Sequence, residues 1–142
     1  MSRINNRLLI VLLNQTLGFT MRIIRFILGT VILFIDWLTT PKGIKRPLEL
    51  QKTIDEQSQN YILYQYKACP FCVKVRRSFK RLSLPIETRD PKRSESAKKE
   101  LVAGAGKLKV PCLKIANDEG STTWMFDSKK IISYLELQFE EK

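Results

Sequence analysis

The chain has 142 residues, 44% of them hydrophobic, which is room for one domain of ordinary size plus an extension and enough apolar material for a packed core. It contains no histidine, which removes Cys-His and Ser-His catalysis, imidazole metal ligands and histidine general bases together, leaving cysteine, lysine and carboxylates to carry any chemistry. Lys and Arg outnumber Asp and Glu by 25 to 14, a formal charge of +11, and both halves share the excess, so the surface suits anionic lipid or an anionic thiol. Nucleic acid is not expected, because no RNP-like, zinc-finger or recognition-helix pattern accompanies the charge.

Residues 8–38 are strongly apolar, whereas everything after Pro41 has the mixed texture of a soluble domain, and a boundary near Thr40 follows. A bilayer span needs about 20 largely apolar residues. The longest charge-free stretches, Leu8 to Met21 and Phe26 to Ile35, are both shorter. On one helix, Gln15, Gly18, Arg22, Arg25, Gly29 and Asp36 fall on a narrow polar seam. That pattern fits an in-plane interfacial helix, or a tilted span whose charged residues snorkel or pair. Residues 8–38 are therefore expected to contact membrane lipid, with packing onto the soluble domain as the alternative. A cleaved secretory signal fits poorly, since Leu8 to Leu13 is a short apolar core and no Ala-x-Ala site follows. Met21 offers an alternative start that would leave Met21 to Leu38 as the anchor.

Pro41, Gly43 and Pro47 break the helix, while Lys42, Lys45 and Arg46 place charge at the expected lipid surface. Basic residues flank the apolar segment on both sides, so charge bias orients it only weakly. Residues 41–60 read as a linker, the polar stretch 48–60 of which reads equally as a short surface helix.

From Tyr61 the pattern becomes that of a folded domain, 61–142. A strand (Tyr61 to Tyr66), a helix (Pro70 to Leu82) and a short strand (Ile86 to Arg89) come first. A polar helix (Glu95 to Val102), a strand (Cys112 to Ala116), a turn at Asn117-Asp118-Glu119-Gly120, a strand (Thr122 to Phe126) and a closing helix (Ser128 to Phe139) follow. This order is that of a thioredoxin-like α/β fold. In the first helix Cys72, Val75, Phe79 and Leu82 share a core face, and Lys74, Arg77, Lys80 and Arg81 point outward as a mainly solvated face.

Cys69-Pro70-Phe71-Cys72 sits at the first strand-to-helix junction. Unpaired N–H groups and the helix dipole favour a thiolate there, so Cys69 is the candidate nucleophile, and Cys72, one turn on, is placed to resolve its mixed disulfide. Pro70 lacks an N–H that would have gone unpaired in the first turn. Three cysteines without histidine fall short of a self-contained four-ligand zinc site, so no metal is expected. An odd, small number of cysteines with a CxxC suits a reducing compartment. Cys112 reads as a buried small hydrophobe, or else as a third redox thiol or cluster ligand.

Residues 61–139 resemble the glutaredoxins, and more closely small bacterial proteins with glutaredoxin-like or glutathione S-transferase N-terminal domains. Three separated signatures carry the resemblance: Lys67-Ala68-Cys69-Pro70-Phe71-Cys72, with Phe71 where the family usually has tyrosine; Lys109-Val110-Pro111, at the position of a cis-proline loop; and Asp127-Ser128, similar to the acidic-Ser pair that holds the γ-glutamyl end of glutathione. Similar proteins also carry a short apolar segment ending like Pro41-Lys42-Gly43. The resemblance implies a cis peptide before Pro111, with the Val110 backbone pairing with the cysteinyl amide of glutathione. Lys67 and Lys109 would meet its glycine carboxylate, Phe71 would form an apolar wall, and Asp127 and Ser128 would hold its γ-glutamyl group. Lys67 would also favour the Cys69 thiolate through its charge.

The reading that follows is a membrane-attached, glutathione-linked thiol-disulfide oxidoreductase. Glutathione would be its co-substrate and glutathionylated or disulfide-containing proteins its substrates, with the domain on the cytoplasmic face of a bacterial inner membrane. A full glutathione transferase is not expected, since nothing after Lys142 supplies a helical domain. The alternatives are a non-catalytic iron-sulfur or metal carrier or membrane redox sensor using the same cysteines, and a membrane scaffold.

Overall fold

Hydrophobic alternation along three strands decides the architecture. The computed structural model describes residues 2–117 and 120–140, with side chains from Leu17 onward. In chain order it contains α1 (Ser2–Leu38), α2 (Leu48–Ser58), β1 (Tyr61–Tyr64), α3 (Pro70–Arg81), β2 (Glu87–Arg89), α4 (Glu95–Ala105), β3 (Cys112–Ala116), β4 (Thr122–Phe126) and α5 (Ser128–Phe139). The strands form one sheet in the order β2-β1-β3-β4. β1 and β2 are parallel, joined by α3 as a parallel pair requires, and the other pairings are antiparallel, with Leu63 opposite both Thr88 and Leu113.

Side chains alternate across the strands, so each face recruits its own helices. Tyr61 and Leu63 of β1 and Leu113 and Ile115 of β3 join Val75 and Phe79 of α3 and Ile131 and Leu135 of α5 in the main core. Tyr64 and Cys112 point the other way and pack with Ala97 and Leu101 of α4, flanked by Trp124 and Phe126 of β4. The result is the thioredoxin-like α/β sandwich expected from the element order.

β3, β4 and α5 have the expected bounds. β1 stops two residues early, because after Gln65 the chain leaves the sheet for the turn in which the Cys69 N–H bonds the Tyr66 carbonyl at 3.2 Å. β2 begins one residue late, at Glu87. α4 runs three residues past Val102 to Ala105 and ends at Gly106, whose φ of 73° is the left-handed conformation glycine adopts freely. Trp124 lies over Gly104, where a Cβ would come within 2.1 Å of the indole. Of the expected turn before β4, Asp118 and Glu119 lie outside the described residues; beside them, the Asn117 N–H bonds Ser121 O at 2.9 Å.

The segment read as a linker is partly packed. Residues 48–58 form α2, and its Ile54 is only 1% exposed within the main core. Before it, residues 43–46 close the C-terminal end of α3, where helix carbonyls lack intrahelical donors. The Ile44 N–H bonds Arg81 O at 2.9 Å, Arg46 Nη1 bonds Leu82 O at 2.7 Å, and Gln51 Nε2 bonds Ser83 O at 2.9 Å. Arg46 also reaches Phe139 O at the end of α5. Its guanidinium therefore belongs to the domain, not to the charged surface the sequence suggested. Gly43 permits this approach, since a Cβ there would meet Ser83 Oγ at 2.3 Å.

α1 is a single helix, and its Leu17–Leu38 portion, 22 residues with mean hydropathy 1.9, is long and apolar enough to cross a membrane by length and composition. It touches the domain along a thin line. Asp36, 8% exposed, pairs with Arg77 at 3.4 Å and Arg76 at 4.0 Å, and Arg77 also bonds Thr39 Oγ1 at 2.8 Å and Thr39 O at 2.6 Å. Arg77 and Arg81, the latter pairing with Glu136 and Glu140 of α5, are thus engaged rather than free on a solvated face.

Candidate functional site

The site is built where β1 runs out and α3 begins. Cys69 is the N-cap residue of α3, in extended conformation, and Pro70 opens the first turn. The four residues from Cys69 to Cys72 then split by exposure: Cys69 is half-buried, Pro70 is exposed, Phe71 is 57% exposed, and Cys72 is buried on the core face of α3. Burial pushes the Cys72 thiol up to about 12, with its hydrogen bond to Cys69 adding to the rise and the nearby Arg76 charge opposing it. Cys72 therefore keeps its proton well above the pH at which an ordinary thiol, near 8.5, loses it.

Arg76 braces the loop that carries Cys69. One guanidinium nitrogen bonds the Gln65 side chain and the other bonds the Lys67 carbonyl at 2.9 Å. This arginine was absent from the expected site; its one available signal is its position one turn beyond Cys72, flanking the core face.

The Val110–Pro111 peptide is cis, as the resemblance implied. Pro111 is buried and continues directly into β3, which presents the loop beside α3. At the far edge, Asp127 is the N-cap of α5 and its carboxylate accepts the Lys129 N–H at 2.8 Å. Asp127 has φ 79°, uncommon for a residue with a side chain though least so for Asp and Asn. Ser128 beside it is 8% exposed.

These pieces meet. Phe71, Lys109, Val110, Pro111, Asp127 and Ser128 line one cavity of about 230 Å³. Three segments separated by 38 and 16 residues are thereby assembled into a single pocket beside the N-terminus of α3. Lys67 is not among the lining residues; it is exposed, and the contact it makes there is through its backbone carbonyl. Lys74 stands over the Phe71 ring at 5.9 Å, adding positive charge beside the pocket that the motifs did not single out.

Cys112, next to Pro111, faces the α4 side of the sheet among Tyr64, Ala97 and Leu101 and is fully covered. Burial pushes its thiol up to about 12, with the Lys107 charge opposing. Among the described residues no group of three or more Cys, Asp or Glu side chains converges as a metal-holding set.

A family model described as glutathione S-transferase, N-terminal domain, matches residues 63–142. Maleylacetoacetate isomerase from Anaeromyxobacter dehalogenans 2CP-1, solved with dicarboxyethyl glutathione and citrate in its active site, is 26% identical over 60% of this chain and 39% of its own, with a TM-score of 0.46. The same isomerase with bound GSH gives 25% identity, 60% and 40% coverage, and a TM-score of 0.46. A thioredoxin-like protein is 24% identical over 53% of this chain and 97% of its own, with a TM-score of 0.43. This chain thus spans about two fifths of the isomerase's length. No curated protein matches. With more than half of its length matched by the family model, this chain belongs to the glutathione S-transferase N-terminal domain family.

Proposed function

We propose that this protein is a glutathione-linked thiol-disulfide oxidoreductase of glutaredoxin type, attached through α1 to the inner membrane of a bacterium with its domain in the cytoplasm. The observation that carries this reading is the shared pocket: the Phe71, Lys109-Val110-Pro111 and Asp127-Ser128 segments line one cavity, and Phe71 stands two residues after Cys69, the N-cap of α3, which is not itself among the lining residues.

Bound glutathione would lie along this cavity. The Val110 backbone would pair with its cysteinyl amide, Asp127 and the Ser128 hydroxyl would hold the γ-glutamyl amino and carboxylate groups, Lys109 would meet the glycine carboxylate, and Phe71 would wall the thiol side. Lys67, outside the cavity lining, would favour the Cys69 thiolate through its charge. The match of residues 63–142 to the glutathione S-transferase N-terminal domain supports this choice of ligand class.

The reaction begins with the Cys69 thiolate attacking a glutathionylated protein. A bond forms between Cys69 Sγ and the glutathione sulfur, the substrate disulfide breaks, and the released substrate thiolate takes a proton from solvent. A second glutathione, as thiolate, then attacks the mixed disulfide, giving oxidised glutathione and restoring Cys69. Cys72 can resolve the same intermediate only by giving up a proton it holds up to about 12. Glutathione resolves the intermediate formed with glutathionylated substrates, and Cys72, one turn along α3 from Cys69, resolves the one formed with protein disulfides.

The test is a glutathione-coupled reduction assay on the full chain. Cys69→Ser should abolish turnover of a glutathionylated peptide, and Cys72→Ser should keep at least half of it. Full activity in Cys69→Ser, or no glutathione-dependent turnover in any form, would refute the proposal.

A further inference from the structure

We propose that α1 lies in the plane of an anionic membrane surface, with the domain seated on its polar seam, and does not cross the bilayer. The proposal rests on the membrane attachment proposed above and adds its geometry.

Gly18, Arg22, Arg25, Gly29 and Asp36 share one face of α1 by their spacing. The domain packs against that face. A Cβ on Gly29 would lie 3.3 Å from the Ala68 Cβ, and about two turns further on, Asp36 is buried against Arg76 and Arg77. Ile32 and Leu33, between them, are half-buried.

This docking excludes the spanning arrangement. At 1.5 Å per residue, Gly29 lies about 14 Å along the axis from Leu38, close to the middle of a hydrocarbon core about 30 Å thick. A span over Leu17–Leu38 would carry Ala68, the exposed Lys67 and the backbone of the loop that leads into α3 to that depth. Loop backbone and charged side chains facing lipid are not accommodated there.

An in-plane helix meets no such conflict. With the seam turned toward the domain and water, Ile24, Ile27, Leu28, Val31, Phe34 and Ile35 project away from it, all between 45% and 58% exposed. Arg22 and Arg25 stay exposed on the seam side, and Lys42 and Lys45 are exposed just beyond the helix. An apolar underside with cations at its flanks fits the boundary between anionic headgroups and acyl chains. Because Ala68 precedes Cys69, this seating holds the cysteine loop at the lipid surface.

The test uses spin labels on the full chain. Ile27→Cys, Leu28→Cys, Thr30→Cys, Val31→Cys, Phe34→Cys and Ile35→Cys are each labelled in a Cys69→Ser, Cys72→Ser, Cys112→Ser background. Each is floated with vesicles of phosphatidylcholine and phosphatidylglycerol, and label depth is read from oxygen and nickel-chelate accessibility. Positions 27, 31 and 34 should lie deeper than 28, 30 and 35, all in one leaflet. A single smooth maximum of depth near position 28 would overturn the in-plane orientation while leaving attachment intact. Unmodified chain that stays out of the floated lipid would defeat attachment itself, and equal flotation with phosphatidylcholine alone would overturn the anionic preference.

Discussion

Alkylation of the folded chain with iodoacetamide should modify Cys69 and leave Cys72 and Cys112 intact. Only the thiolate reacts at a useful rate, and both inner thiols are pushed up to about 12 by full burial. At pH 8 a thiol titrating near 12 is thiolate in roughly one molecule in 10⁴, against about a quarter for an ordinary cysteine near 8.5. The ionisation difference alone is a factor of roughly two thousand, and coverage of the sulfur by neighbouring side chains slows the reaction further. Mass spectrometry of each cysteine-containing peptide against time reads the three rates in one experiment. In the folded chain Cys72 and Cys112 should lag an ordinary thiol by about three orders of magnitude, and in denaturant all three should converge. Alkylation of Cys72 or Cys112 within tenfold of Cys69 in the folded chain would refute the argument from burial.

The same two thiols make the fold sensitive to alkali. Their folded pKa values are raised, so the folded state keeps protons that the unfolded chain loses above about 8.5; stability should fall between that pH and about 12, by roughly 1 kcal/mol per pH unit for each thiol, as chemical denaturation across this range would show. Urea midpoints unchanged between pH 8 and 10 would contradict it. Gly104→Ala should force the Trp124 ring off its stack with Tyr64, whose ring centroid lies 5.6 Å away, and cost about 1–3 kcal/mol as overpacking does, seen as a fall of several degrees in Tm. An unchanged Tm would mean the ring moves freely. Arg46→Ala removes donors to the Leu82 and Phe139 carbonyls at the ends of α3 and α5 and should cost about 1.5–3 kcal/mol, the range for hydrogen bonds to a charged group. A urea midpoint equal to wild type would show that water replaces the guanidinium without loss.

Much of the domain was legible in the sequence because its signals are local. Cys112–Ala116, Thr122–Phe126 and Ser128–Phe139 took their expected bounds from period-two alternation, a turn and an N-cap, all of which act within a few residues. The three motif segments were legible as well, since each carries its own residue types, and the family match over residues 63–142 agrees with the resemblance they supported. Lys67 is the exception among them: its place in the Cys69 loop is visible in the chain, but whether a side chain lines a cavity depends on how the loop turns, and here Arg76 holds its backbone.

What the sequence alone determined about this protein is therefore the element order of the domain from Tyr61, its helix starts and the spacing of its two cysteines at the start of α3. Tertiary structure alone decided which residues meet across long separations: Asp36 with Arg77, Arg46 with Phe139, Ile54 with the core, and Phe71 with Asp127 around one cavity. Those pairings have no period and no local propensity to announce them. They arise because two apolar sheet faces must be covered and helix-end carbonyls must find donors, and the residues that meet both needs are chosen by the closed packing of the whole domain.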